Sequence, residues 1–250
     1  MLEKYEPVCY ELLRPAQVKA LREKCPIAYV PFGSLEWHGL HLPLGTDSLK
    51  AHAICCEAAL KHGGVVLPPV YQGLLGFVNW GPKGWEGYTL GSNEETTPEI
   101  VMTGIGRALA QSDWKVIVGV TGHDVDRQRD AMQRGIDAAV KGKKATGFAV
   151  MEGEGHKKSE AIPLQMDHAA AWETSCMMYA YPDKVDLDEL RKQPLSGEEN
   201  LSMGGPEGIG GRNPLKYSSA ELGIAIVEAM GDIIGARAVA ALAELRKKAG

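Results

Sequence analysis

Glu36-Trp37-His38-Gly39-Leu40-His41-Leu42-Pro43-Leu44-Gly45-Thr46-Asp47 lies between an apolar run and a segment of helical spacing. The run, Ile27-Ala28-Tyr29-Val30-Pro31-Phe32, reads as a strand. Downstream, Leu49, Ala53, Ile54, Ala58 and Leu60 mark a helix from Asp47 to His62, stopped by Gly63-Gly64. The stretch between them is too rich in Gly and Pro to be one helix. Glu36 and His38 are two apart, which puts both side chains on one face of extended backbone but on nearly opposite faces of a helix. Carboxylate with imidazole is a ligand mixture that suits zinc, manganese or iron. Asp47 adds a second carboxylate where the helix begins.

The same strand-then-helix alternation continues along the chain. Val65-Val66-Leu67 is a short strand, and Thr97-Pro98-Glu99 opens a helix to about Gln111 with a capping hydroxyl, a first-turn proline and an acid. Trp114 to Val120 is a near-continuous apolar run, as in a parallel strand covered on both faces. A helix over about Arg127–Val140 follows, then a strand over Gly147–Met151. His168–Tyr181 reads as helix ended by Pro182, residues 193–216 as a long loop, and Ser219 to about Lys248 as a terminal helix interrupted at Gly231 and Gly235. Alternating β and α segments predict a mostly parallel sheet with helices on both sides. With no repeat and no compositional break, residues 1–250 are expected to form a single α/β domain.

Composition narrows the function. The 250 residues are 44% hydrophobic and 24% charged, ordinary for a globular protein. A net charge of -5 with scattered Lys and Arg argues against a nucleic-acid partner. No apolar run approaches the roughly 20 residues of a membrane span, and Met1-Leu2-Glu3-Lys4-Tyr5-Glu6 lacks a secretory core. The five cysteines are irregularly spaced with no Cys-x-x-Cys, which reads as reduced thiols of a cytoplasmic protein.

In parallel α/β sheets, ligands bind beyond the carboxyl ends of the strands. Three polar groups are expected there: Glu36, His38 and Asp47; Thr121-Gly122-His123-Asp124; and Glu152, Glu154 and His156. His168 and Glu173 form a fourth. Five residues apart, they lie about 140° apart around a helix, so both reach one cavity only if the helix crosses its rim or starts after His168.

These segments resemble the creatininase (creatinine amidohydrolase) family. Gly33-Ser34-Leu35-Glu36-Trp37-His38-Gly39 and His41-Leu42-Pro43-Leu44-Gly45-Thr46-Asp47 look like its longest signature. Thr121-Gly122-His123 resembles its Asn-Gly-His motif, Asp167-His168-Ala169 with Glu173-Thr174-Ser175 its His-Ala-Gly…Glu-Thr-Ser segment, and Gly87-Tyr88-Thr89-Leu90 its Gly-Thr-x-x-Leu region. The resemblance implies a three-layer α/β/α fold, hydrolytic chemistry at a divalent metal centre, and often a homohexamer. It gives metal-ligand roles to Glu36, His38, Asp47, His123 and Glu173, with Asp47 bridging if two ions bind, and an acid/base role to His168 beside Glu173. Creatininase itself carries a glutamate two residues after the histidine of the Asn-Gly-His motif. Here that position is Val125, which departs from creatinine chemistry.

Glu36, Asp47 and Glu173 with two neutral imidazoles sum to -3, which mildly favours two divalent ions over one. The expected activity is hydrolysis of a small cyclic amide or related C–N substrate by metal-activated water. The alternatives are a keto-inositol, cyclic keto-sugar or formamide substrate at the same centre, or a metal-binding protein without turnover. Trp80, Trp85 and Tyr88 are candidates for an apolar wall, the 77–86 loop for specificity, Glu152 and Glu154 for contacts to a polyhydroxylated ring, and Asp124 or Asp126 for orienting His123. His41 is expected to shape its loop.

Overall fold

The computed structural model describes residues 2–76 and 84–249. Its centre is a four-stranded, all-parallel sheet in the order β2-β1-β3-β4, with β1 at Ile27–Phe32, β2 at Val65–Val66, β3 at Val116–Thr121 and β4 at Thr146–Met151. Register aligns the carboxyl ends, since Phe32 pairs with Thr121 and Thr121 with Met151. The chain moves outward from β1 to β2 and then returns to the other side of β1 as β3. The crevice of such a sheet lies where that direction reverses, at the ends of β1 and β3.

Alternation along the strands divides the core into two layers. Ile27 and Tyr29 of β1, with Val116, Val118 and Val120 of β3, face α2 (Thr46–His62), α5 (Ala171–Ala180) and α8 (Ala220–Ala249). Ala28, Val30 and Phe32, with Ile117, face the opposite layer of α1 (Pro15–Lys24), α3 (Thr96–Gln111) and α4 (Asp126–Val140). This is the three-layer arrangement expected from the family resemblance. The connection from α5 to α8 carries α6 (Leu187–Arg191), a two-stranded antiparallel ribbon of β5 (Asn200–Leu201) and β6 (Gly211–Arg212), and α7 (Pro214–Tyr217). Residues 193–216 are thus less irregular than their Gly and Pro content implies.

Three local expectations need correction. The first is α8, which is continuous through Gly231 and Gly235. Both glycines mark contacts with α2: a Cβ on Gly231 would meet Glu57 Cβ at 2.7 Å, and one on Gly235 would meet the His62 ring at 2.3 Å. The second is α3, which begins at Thr96 without a side-chain cap; Thr97 lies inside its first turn and shares a 2.8 Å hydroxyl hydrogen bond with Ser92. The third is α5, which starts at Ala171, after His168. Asp167 accepts hydrogen bonds from the Trp172 and Glu173 N–H groups, at 2.8 and 3.3 Å, and so satisfies the first turn. Among the described residues, no helix is long and apolar enough to cross a membrane.

Candidate metal centre

Gly33 and Gly122 let the backbone close around Asp47. A Cβ on Gly33 would lie 2.5 Å from Asp47 Cβ, and one on Gly122 would lie 2.1 Å from the Asp47 carbonyl oxygen. The loops after β1 and β3 can therefore press on the first turn of α2 from two sides. Glu36, His38, Asp47, His123 and Glu173 meet there, all buried.

Asp47 divides the group in two. Its Oδ1 lies 3.1 Å from His38 Nε2, which is 3.2 Å from Glu173 Oε2. Its Oδ2 lies 3.1 Å from His123 Nδ1, which is 3.0 Å from Glu36 Oε2. His38/Asp47/Glu173 and Glu36/Asp47/His123 each bring three donor atoms close enough to surround one ion. His168 lines the same cleft. Its ring centroid is 4.6 Å from that of His38, its Nδ1 is 4.0 Å from Glu36 Oε2, and reciprocal 2.9 Å backbone hydrogen bonds tie it to Gly210.

The donor set has the chemistry of a cation site. His38 Nδ1 is 3.0 Å from the Glu36 carbonyl oxygen, which can only accept, so Nδ1 carries the proton. In the neutral ring, Nε2 then presents a lone pair to two carboxylates, which only a proton or a metal ion can reconcile. Glu36 Oε2, Asp47 Oδ2 and His123 Nε2 are buried with no hydrogen-bond partner among the described residues, although the first two lie close to His123 Nδ1. Unbonded donors converging in a buried space are arranged as ligands are.

Electrostatics follow from that crowding. Burial opposes charge on His38, but Asp47 and Glu173 raise its pKa well above 6.5. Against the same opposition from burial, Glu36 and Asp47 raise His123 to about 10. Asp47 is held well below the usual carboxylate range, against burial, by His38 and His123. Glu173 is lowered to about 2, again against burial, by Lys50 and His38. His168 is lowered by burial and by the nearby His38, which keeps it neutral.

Lys50 had no role in the sequence reading. A lysine on an amphipathic helix reads as solvated, yet this one is buried. Its Nζ contacts Glu173 Oε1 at 2.5 Å, Glu152 Oε1 at 2.8 Å and the Gly122 carbonyl oxygen at 2.6 Å. These carboxylates raise its pKa well above 10.5 despite burial. Glu173 Oε1 is therefore held by Lys50, while Oε2 accepts the Ala169 N–H at 2.6 Å and faces His38. Ala169 adopts a left-handed conformation at φ 54°, a cost retained where the chain turns from His168 into α5. Behind α5, His41 Nε2 shares a 2.9 Å hydrogen bond with Thr174 Oγ1, in keeping with a loop-shaping role, and burial lowers its pKa to about 3.

Other expected contributors lie elsewhere. Glu152 packs under the centre against Lys50 and the Trp172 indole N–H, and burial raises its pKa to about 7. Glu154 pairs with Arg237, and His156 Nε2 with the Leu164 carbonyl. Neither Asp124 nor Asp126 has a hydrogen bond to His123, and Asp126 pairs with Arg129. Trp85 stacks on Trp37 and Tyr88, at centroid distances of 5.4 and 5.6 Å, outside the cleft lining. Trp80 and positions 77–83 of the proposed specificity loop lie outside the described residues. The cleft itself, about 280 Å³, is lined by Glu36, Asp47, His123, Val125, Asp167 and His168 among others.

Residues 11–237 match the family model Creatininase, described as creatinine amidohydrolase. The chain belongs to the creatininase family. That membership makes it a metal-dependent hydrolase. It is 27% identical to the creatinine amidohydrolase of Pseudomonas putida, over 67% of this chain and 69% of that one. It is 31% identical to the mycofactocin precursor peptide peptidase of Mycolicibacterium smegmatis, over 69% of this chain and 65% of that one. A crystal structure of creatinine amidohydrolase matches with a TM-score of 0.74 at 22% identity, covering 92% of this chain and 96% of the other. A manganese creatininase matches with a TM-score of 0.73 at 23% identity, and a mutant creatininase of Zn-Zn type with 0.72 at 23%; each match covers 92% of this chain and 96% of the other.

Proposed function

We propose that this chain hydrolyses a C–N bond of a small cyclic amide or related substrate at a two-metal centre held by Glu36, His38, Asp47, His123 and Glu173. The observation that carries this reading is the division of Asp47, whose two carboxylate oxygens each face a separate histidine–carboxylate pair. Its relatives solved in manganese and Zn-Zn forms support zinc or manganese as occupants, and the ligand set also admits iron.

Divalent ions bound there supply an activated water and a Lewis acid for the carbonyl oxygen. The chain supplies the rest. Asp47 stays ionised between the two donor pairs. Lys50 and the Ala169 N–H fix both oxygens of Glu173, leaving Oε2 toward His38. His168, neutral and pinned to Gly210, takes up a proton from the attacking water and delivers it to the leaving nitrogen.

A second reading, hydrolysis of a peptide C–N bond, has two supports. The higher identity is to a peptide peptidase, and the cleft presents Val125 where creatininase carries a glutamate. Incubating the metal-loaded protein with creatinine, formamides, keto-inositols and short peptides, followed by mass spectrometry, separates the readings. Turnover of keto-inositols alone, or of nothing on the panel, would overturn both. A homo-oligomer, with a hexamer as the specific form, belongs to the same proposal and is checked by light scattering on the eluted protein.

A further inference from the structure

A second group of ligand-type side chains is buried farther along α2. Cys9 follows the 3-10 turn Glu3–Val8, while His52 and Cys56 stand one turn apart on the helix. Cys9 Sγ lies 3.9 Å from Cys56 Sγ, and both sulfurs lie 3.7 Å from His52 Nε2. All three residues are at most 1% exposed. An ion bonded at about 2.3 Å to each sulfur and about 2.0 Å to the nitrogen, with angles between tetrahedral and trigonal, requires separations of about 3.5–4.0 Å. The observed triangle falls within that range without movement of the side chains. The Tyr181 hydroxyl lies 3.3 Å from His52 Nδ1, and by accepting that N–H it turns the Nε2 lone pair toward the sulfurs.

We infer that Cys9, His52 and Cys56 form a second metal site, for a thiophilic cation such as zinc or copper(I), that clips the N-terminal segment to α2. Thiolate donors select such ions over the harder cations suited to carboxylates. Binding replaces the two thiol protons, which pass to solvent. The site fastens a segment that otherwise reaches the sheet through the Cys9–Val66 bridge. Among the described residues, the cleft ligands include no sulfur, so spectroscopy can tell the two sites apart.

The test is cobalt(II) titration of the full chain, stripped of metal and with its thiols reduced. A thiolate-to-cobalt charge-transfer band is expected in the near ultraviolet, with a final intensity that corresponds to one thiolate-bound cobalt per chain and is abolished by zinc. Cys9→Ser/Cys56→Ser should lose the band and bind one cobalt fewer, while zinc should raise the melting temperature of the wild type more than that of the variant. His52→Gln, which leaves both thiols in place, should weaken the affinity read at this band at least tenfold. A wild type with no band, a band that survives in the double variant, an unchanged affinity in His52→Gln, or a two-dalton loss from a Cys9–Cys56 disulfide in the purified protein would each overturn the inference.

Discussion

The floor of the cleft and the aromatic cluster beside it share a segment but follow opposite physics. On the floor, Glu36 and His38 are 2% and 0% exposed, and every charged group faces another. In the cluster, Trp85 and Tyr88 are 39% and 49% exposed; Tyr88 packs on Trp85, and Trp85 on Trp37, the residue between Glu36 and His38. Glu36 and His38 turn to the donor groups around Asp47, while Trp37 between them packs on Trp85. Burial makes the floor intolerant: removing one partner strands a charge away from water. An exposed cluster pays no such penalty and can change without loss of the centre.

The sharpest way to break this contrast is Asp47→Asn, which weakens both donor pairs at once. Both ions and all turnover should disappear while the circular dichroism spectrum of the fold remains; retention of stoichiometric metal by mass spectrometry would remove the basis of the two-metal reading. His168→Gln should lower kcat by about 10²–10⁴-fold with the metal content unchanged, which separates proton transfer from ligation.

Lys50→Met tests whether the floor is held by charge. Stranding Glu152 beneath it should cost about 3–5 kcal/mol in chemical denaturation. Adding Glu152→Gln should recover most of that stability but not the position of Glu173, so metal affinity should stay low in titration calorimetry. If stability is not recovered, Lys50 acts through packing instead.

Glu152 also predicts a pH effect. Its pKa in the folded protein is about 7, above the ordinary 4.5. The folded state therefore holds this proton more tightly than the unfolded state, and the associated stability is lost as pH rises from 4.5 through 7. Glu152→Gln should flatten the wild-type decline in denaturation midpoint over that range; an equally steep decline would assign it to other groups. The smallest effect is expected from Trp85→Ala, with a change of less than about tenfold in KM, or about 1.4 kcal/mol, and normal metal content. Loss of metal in that variant would show that the cluster supports the floor.

Periodicity and local spacing made the layers legible, and with them most of the side chains that the fold gathers at the cleft floor. β1 and β3 read as strands because their apolar runs are covered on both faces, and the polar residues just beyond them had to emerge at one edge of a parallel sheet. Asp47 was legible as the start of a helix. Lys50 was not, because its partner Glu152 lies 102 residues away and no local pattern distinguishes a buried lysine from a solvated one. The start of α5 was also beyond local reading: Asp167 and the left-handed Ala169 set it by satisfying the first turn from outside the helix. Cys9 and Cys56, 47 residues apart, become neighbours only when the N-terminal segment packs on α2. Chain order thus specified which chemical groups leave each strand, because side-chain direction follows backbone geometry. Which of them meet, and which oxygen of Asp47 each one faces, was decided by packing, because contacts between distant segments exist only once the helices have closed over the sheet.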